Sequence, residues 1–186
     1  MNHVLPDWRY EQIKFEVANT FKKCDINSIP ISGFEIANKL GIIVVPYSVL
    51  SNEKRKQIIE IDEDGVYFKK KNDYYIYYNN QKPYGRINFT ILHEIGHIVL
   101  NHTQHSKLAE AEANFFAKYA YVPPVLVDKY SNNKTALGIM GVISCNFGVS
   151  RTMVTNCFNY YKKWKNKFEQ KNEYTNYELM IIEQFD

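Results

Sequence analysis

Cysteine is scarce: Cys24, Cys145 and Cys157 are an odd number at irregular spacing in 186 residues. No disulfide framework and no CxxC metal knuckle can be built from them, and a reduced, cytoplasmic setting is the expectation. Long apolar runs are missing too. Pro46 interrupts the stretch from Gly41 to Leu50, and His93, Glu94 and His97 interrupt Ile87 to Leu100, so neither reads as a membrane span. The start, Met1 to Tyr10, has Pro6 and Asp7 where a signal peptide needs an apolar centre. Neither sign of charge dominates. The 23 basic and 20 acidic side chains leave +3, which demands neither nucleic acid nor a membrane surface as partner. There is no repeat of fixed period and no low-complexity tract. What is abundant is aromatic: 15 Tyr and 11 Phe, within 45% hydrophobic residues, exclude disorder and supply one core that needs no staples.

Periodicity divides the chain. Tyr10, Ile13, Val17 and Phe21 recur at steps of three and four, which predicts a helix from about Asp7 to Lys23. Ser32-Gly33-Phe34-Glu35 has the capping-box pattern ahead of Ile36, Ala37 and Leu40, with Gly41 as the stop. Ile42 to Val45 then reads as a strand. Ile58 to Ile61, Gly65 to Phe68 and Tyr74 to Tyr78 are three more strand candidates, which predict a small antiparallel sheet. Asn79 to Gly85 breaks that pattern. Helical period returns from Asn88 to about His102, with Ile91, Ile95, Ile98 and Val99 as one stripe. A further helix from Leu108 to about Tyr121 stops at Pro123-Pro124. Lys134 to about Phe168 reads as two or three helices, the longest with Val154, Phe158, Tyr161 and Phe168 on its apolar face. Lys162, Lys163, Lys165, Lys167 and Lys171 read as a solvated face.

One motif carries chemistry: His93-Glu94-Ile95-Gly96-His97, an HExxH. Helical residues four apart lie about 40° apart around the axis and roughly 6 Å along it. Two imidazoles so placed can converge on one zinc, whose Zn–N distances are about 2.0–2.1 Å. Glu94 lies about 100° round from His93. It is poorly placed to join the same tetrahedron but can reach a water held by the metal, the general-base position of a metal-dependent hydrolase. A chance match in a chain of this length would occur well under about once in a hundred. Two histidines and a glutamate on an otherwise apolar helix would also be a costly core.

A hydrolytic zinc needs a third protein ligand and an open position for water. The metzincin pattern puts Gly three residues and His six residues after the second motif histidine; Leu100 and Thr103 stand there, so it fails. A regular helix would turn His102 about 140° from His97, and His102 and His105 are read as surface residues. The helix with Ala109, Glu110, Ala111, Glu112, Ala113, Asn114 and Ala117 offers the alternative. Its small residues allow close approach to a neighbour. Glu110 and Asn114 share one face, while Glu112 points almost oppositely. Glu110 is preferred as third ligand over Glu112, which is read as solvated, and Asn114 is placed to hydrogen-bond a ligand.

The stretch from about Ile36 to Val127 resembles the ImmA/IrrE metallopeptidases. The matching text is Glu35 to Ile42, then Arg86-Ile87-Asn88-Phe89-Thr90-Ile91-Leu92 leading into the HExxH, then Glu110 to Ala117 ending before Pro123. Gluzincins often carry their third ligand as E-x-x-x-D/N, which Glu110 and Asn114 match. The resemblance implies an α+β fold: a zincin-like core over residues 1–130, with a small antiparallel sheet beside the active helix. A helical segment, residues 131–186, would pack on it as one domain. It also implies a zinc-dependent endopeptidase, with His93, His97 and Glu110 on the metal and Glu94 as base. Several such enzymes cut helix-turn-helix repressors of phages and mobile elements. Ile143 to Val154 resembles the helix-turn-helix-like tail of this family. Its use as a DNA reader is disfavoured by the modest charge and the want of an arginine cluster. The second oxyanion donor stays open among the tyrosines, a histidine and Arg86. The rival readings are a protein- or DNA-binding regulator with a structural or vestigial metal site, and a toxin-like partner of an adjacent antitoxin.

Overall fold

The computed structural model describes residues 5–104, 106–132 and 134–186. Two compact units divide the chain: residues up to Ile13 with Ser32–Ala117, and Lys14–Ile31 with Lys118–Asp186.

The first unit holds the sheet and the motif helix. It takes the start of helix α1 (Asp7–Lys23), then α2 (Gly33–Lys39), strand β1 (Ile43–Pro46) and α3 (Asn52–Ile61). Strands β2 (Gly65–Lys70) and β3 (Asp73–Tyr78) follow, then α4 (Tyr84–Val99) and most of α5 (Lys107–Tyr121). Ser32 caps α2 by accepting the Glu35 N–H, as its sequence pattern predicts. The helix is tied to α4 by Asn88, only 1% exposed, whose Oδ1 accepts the Gly33 N–H at 2.7 Å.

The sheet has the order β1-β3-β2. β2 and β3 form the expected antiparallel hairpin, with Tyr67 opposite Ile76. β1, however, joins β3 in parallel, with Val44 opposite Ile76. The sheet is therefore mixed within the α+β fold. A parallel neighbour needs a long crossover, and residues 47–72 supply one. α4 packs on β2 and β3. Ile91, Leu92 and Ile95 are fully buried on it, each contributing about 1.5–3 kcal/mol by its burial.

Ile58 to Ile61 is the one strand candidate that the structure overturns: it ends α3. Ser51 caps that helix by accepting the Lys54 N–H, and the Glu-Lys-Arg-Lys-Gln run inside it is made of strong helix formers. Only Ile58 of this apolar stretch is buried, against Tyr47 and Val66; Ile59 and Ile61 are exposed. A strand reading would have needed alternation, which the burial does not follow.

The second unit is helical. It comprises the rest of α1, α6 (Pro124–Ser131), α7 (Ala136–Phe147), α8 (Arg151–Lys171) and α9 (Asn176–Gln184). Pro124 opens α6, where a missing N–H does no harm. Gly148, at φ 65°, closes α7 in the left-handed conformation, and α8 leaves at 120° to it. Asp128 ties α6 to α8, accepting from the Tyr161 hydroxyl at 2.7 Å and from Lys165 Nζ at 2.8 Å. Lys165 is thus anchored, while Lys162, Lys163, Lys167 and Lys171 are exposed. α9, which periodicity had not separated, carries a capping box of Thr175 and Glu178. Glu178 also accepts from the Trp164 indole N–H.

Candidate metal centre

The buried stripe of α4 fixes the rotation of that helix and so the direction of its two motif histidines. The Nε2 atoms of His93 and His97 are 3.0 Å apart. Glu110, from α5, places Oε2 3.3 Å from His93 Nε2 and Oε1 3.3 Å from His97 Nε2. Donors bound to one zinc at tetrahedral corners are themselves about 3.3 Å apart. The triangle therefore has the size, and two nitrogens and a carboxylate the chemistry, to hold one small cation.

Gly96, inside the motif, allows this approach. A Cβ there would lie 3.1 Å from both Cβ and Cδ1 of Phe116, a fully buried ring on α5. The ring seats against bare backbone, which sets how near α5, and with it Glu110, comes to the imidazoles. Exposure grades across the three donors: 2% for the His97 side chain, 14% for His93 and 45% for Glu110. The open side of the triangle is the Glu110 side.

Glu94 is buried, and its Oε2 accepts the Tyr67 backbone N–H of β2 at 3.0 Å. Among the described residues β2 has a strand neighbour on one side only, so this carboxylate serves an edge N–H. Burial pushes the Glu94 carboxyl well above its ordinary range; the Asp62 and Glu110 charges add to this, and the Tyr67 N–H opposes it. The Tyr67 ring stacks on His97 at 5.5 Å between centroids, and its hydroxyl donates to the His102 carbonyl at 2.6 Å.

His102 is not the surface residue that helical extrapolation predicts. α4 ends at Val99, and Asn101 takes φ 56°. The Asn101 N–H then bonds Ile98 O and the His102 N–H bonds His97 O at 2.9 Å, the paired bonds of a Schellman turn. The chain folds back, bringing His102 Nδ1 to 2.9 Å from His97 Nδ1. Asn101 after the helix was the available signal, since asparagine tolerates the left-handed region.

Glu112 is likewise not solvated; it is 5% exposed. Its Oε2 lies 2.9 Å from His102 Nε2, and Arg9 forks onto it, Nε to Oε1 at 2.7 Å and Nη2 to Oε2. Burial would raise this carboxyl, but the Arg9 and His102 hydrogen bonds and charges hold it below its ordinary range. Asn114 bonds the Glu110 backbone carbonyl at 2.8 Å rather than an imidazole. Arg86 is paired with Asp64. His105 lies outside the described residues.

Two imidazoles from one HExxH helix with a glutamate from the next are the same donor types as the His₂Glu set of some catalytic zinc sites. The family model of the IrrE N-terminal-like domain matches residues 53–156, more than half of the chain. The chain belongs to the ImmA/IrrE family, a family of metallopeptidases. No curated protein and no solved structure matches it. Among the described residues no single helix is long and apolar enough to cross a membrane.

Proposed function

We propose that the chain is a zinc-dependent endopeptidase that cleaves a specific regulatory protein, with a helix-turn-helix repressor of a phage or mobile element as the expected substrate. The observation that carries the hydrolase reading is the convergence of His93, His97 and Glu110 beside a buried Glu94. The repressor rests on the family resemblance, and the cytoplasm is the compartment it implies.

Bound among the three donors, zinc would lower the pKa of a water toward about 7 and polarise the scissile carbonyl. His93 and His97 contribute Nε2 lone pairs from one rigid helix, so their separation is fixed before any ion arrives. Glu94 accepts the proton of the attacking water and hands it to the leaving amine. The Tyr67 N–H holds one of its oxygens still. The substrate enters from the Glu110 side, the wettest of the three.

Metal analysis of the chain, with Glu94→Gln beside it, tests the reading. Zinc near one per chain in both forms is expected, with chelator-sensitive cleavage of a co-incubated repressor in the wild type alone. Loss of this base should cost about 10²–10⁴ in rate. Retained cleavage in Glu94→Gln removes the base assignment. A stable complex with no cleavage by the wild type would favour a binding module instead.

A further inference from the structure

The bonds around His97 have one consistent polarity. Its Nε2 faces His93 and Glu110, and to serve as a ligand there it must carry no proton. A neutral imidazole has one N–H, which then belongs on Nδ1. That N–H meets His102 Nδ1 at 2.9 Å, so His102 accepts there and carries its own proton on Nε2. The Nε2–H points at Glu112 Oε2, 2.9 Å away. Glu112 is a pure acceptor here, held in orientation by the two-pronged Arg9 guanidinium. His93 differs: its Nδ1 is buried with no hydrogen-bond partner among the described residues.

We infer that His102, Glu112 and Arg9 form a positioning relay that locks His97 as its Nδ1–H tautomer, with the Nε2 lone pair aimed at the metal position. The inference rests on the metallopeptidase reading above and adds to it three residues that touch neither ion nor substrate. Their contribution is to remove the alternative tautomer and ring orientations that a ligand must otherwise abandon on binding. All three are drawn from separate segments: the first turn of α1, the turn closing α4, and α5. The relay is completed only when these are folded together. Outer partners of this kind typically change metal affinity about 10–100-fold when removed.

The experiment measures zinc affinity of the full chain by competition with a chromophoric chelator, together with imidazole ¹⁵N spectra. His102→Leu removes both ring nitrogens, whereas His102→Asn keeps an oxygen able to accept from His97 Nδ1–H. Glu112→Gln removes the charge at the far end without touching either ring. The expected result is a loss of zinc affinity of about 10–100-fold in His102→Leu, with His102→Asn close to wild type. Glu112→Gln should weaken zinc in the same direction, by less. The His97 Nδ1–H signature should be present in wild type and mixed with the other tautomer in His102→Leu. Unchanged zinc affinity in both His102→Leu and Glu112→Gln overturns the relay, as does an equal loss in His102→Leu and His102→Asn. Should His102→Leu fail to fold, Glu112→Gln and the wild-type spectrum decide. A wild-type chain that takes up no zinc would sink the metallopeptidase reading itself, a failure visible without any variant.

Discussion

Replacing Gly96 by alanine sets two effects of opposite sign against each other. In a helix interior the change should gain about 0.8–1.0 kcal/mol, because glycine loses more backbone freedom on folding. The new methyl, however, would meet three atoms of Phe116 at 3.1, 3.1 and 3.2 Å. Phe116 is only 1% exposed, so the ring has no empty space to turn into, and overpacking of this kind costs about 1–3 kcal/mol. The expected balance is a destabilisation of about 0–2 kcal/mol. Since that range includes little change, the decisive measurement is a double-mutant cycle with Phe116→Ala, which removes Cγ and Cδ1 of the three contacting atoms. With Cγ and Cδ1 removed, the remaining Cβ contact can relax into the vacated space, and Gly96→Ala should become stabilising by up to about 1 kcal/mol. The two positions should therefore couple by about 1–3 kcal/mol. Urea unfolding of the metal-free chain in excess chelator gives the four stabilities without a contribution from bound ion. Because α5 also carries Glu110, Gly96→Ala should weaken zinc binding in the Phe116 background and weaken it less in the Phe116→Ala background. A coupling energy below about 0.5 kcal/mol would refute the account of why glycine stands inside this motif.

Two further predictions concern titration and thiol chemistry. The hydrogen bond and charge of Arg86 hold the Asp64 carboxyl below its ordinary range, against partial burial. A carboxyl with a depressed folded pKa stabilises above its unfolded value, near about 3.9, and that contribution is lost as pH falls through the folded value. The stability difference between wild type and Arg86→Gln should be constant from pH 7 to 5, at most about 1 kcal/mol for so exposed a pair. It should shrink below about pH 4; a difference that grows on acidification would contradict the pairing. Burial pushes the Cys157 thiol up to about 11, with Lys118 opposing. At pH 8 roughly one Cys157 in a thousand is thiolate. Exposed Cys145 should react first with a chromogenic disulfide, and buried Cys24 and half-buried Cys157 far more slowly; modification of Cys157 ahead of Cys145 would refute this.

Much of the helical frame is written in local signals. The Ser32–Glu35 cap, the three- and four-residue steps of α1 and the proline pair after α5 each act within a few residues, and each element lies where they point. The convergence of His93, His97 and Glu110 was legible for the same reason: two residues share a helix face, and the third sits on an alanine-rich helix able to come close. α4 begins earlier than its periodicity suggests, at Tyr84, because Pro83 precedes the first turn instead of breaking it. α3 was obscured by three isoleucines whose β propensity outweighed the charged run before them. The parallel register of β1 depends on which strand edge is free, a tertiary matter. His102 was hidden by assuming the helix continued. Arg9 lies 103 residues from Glu112, and no local pattern announces such a pair.

The gradient of wetness across the three donors, from sealed His97 to half-open Glu110, would impose an order on the loading and stripping of a bound cation. An ion arriving from solvent would meet the carboxylate first and settle onto the imidazoles second; on departure the carboxylate would swing away while both rings still grip. A competing chelator would enter at that released corner and form a transient shared complex. The stripping rate should then climb with chelator concentration instead of levelling off at a fixed dissociation rate.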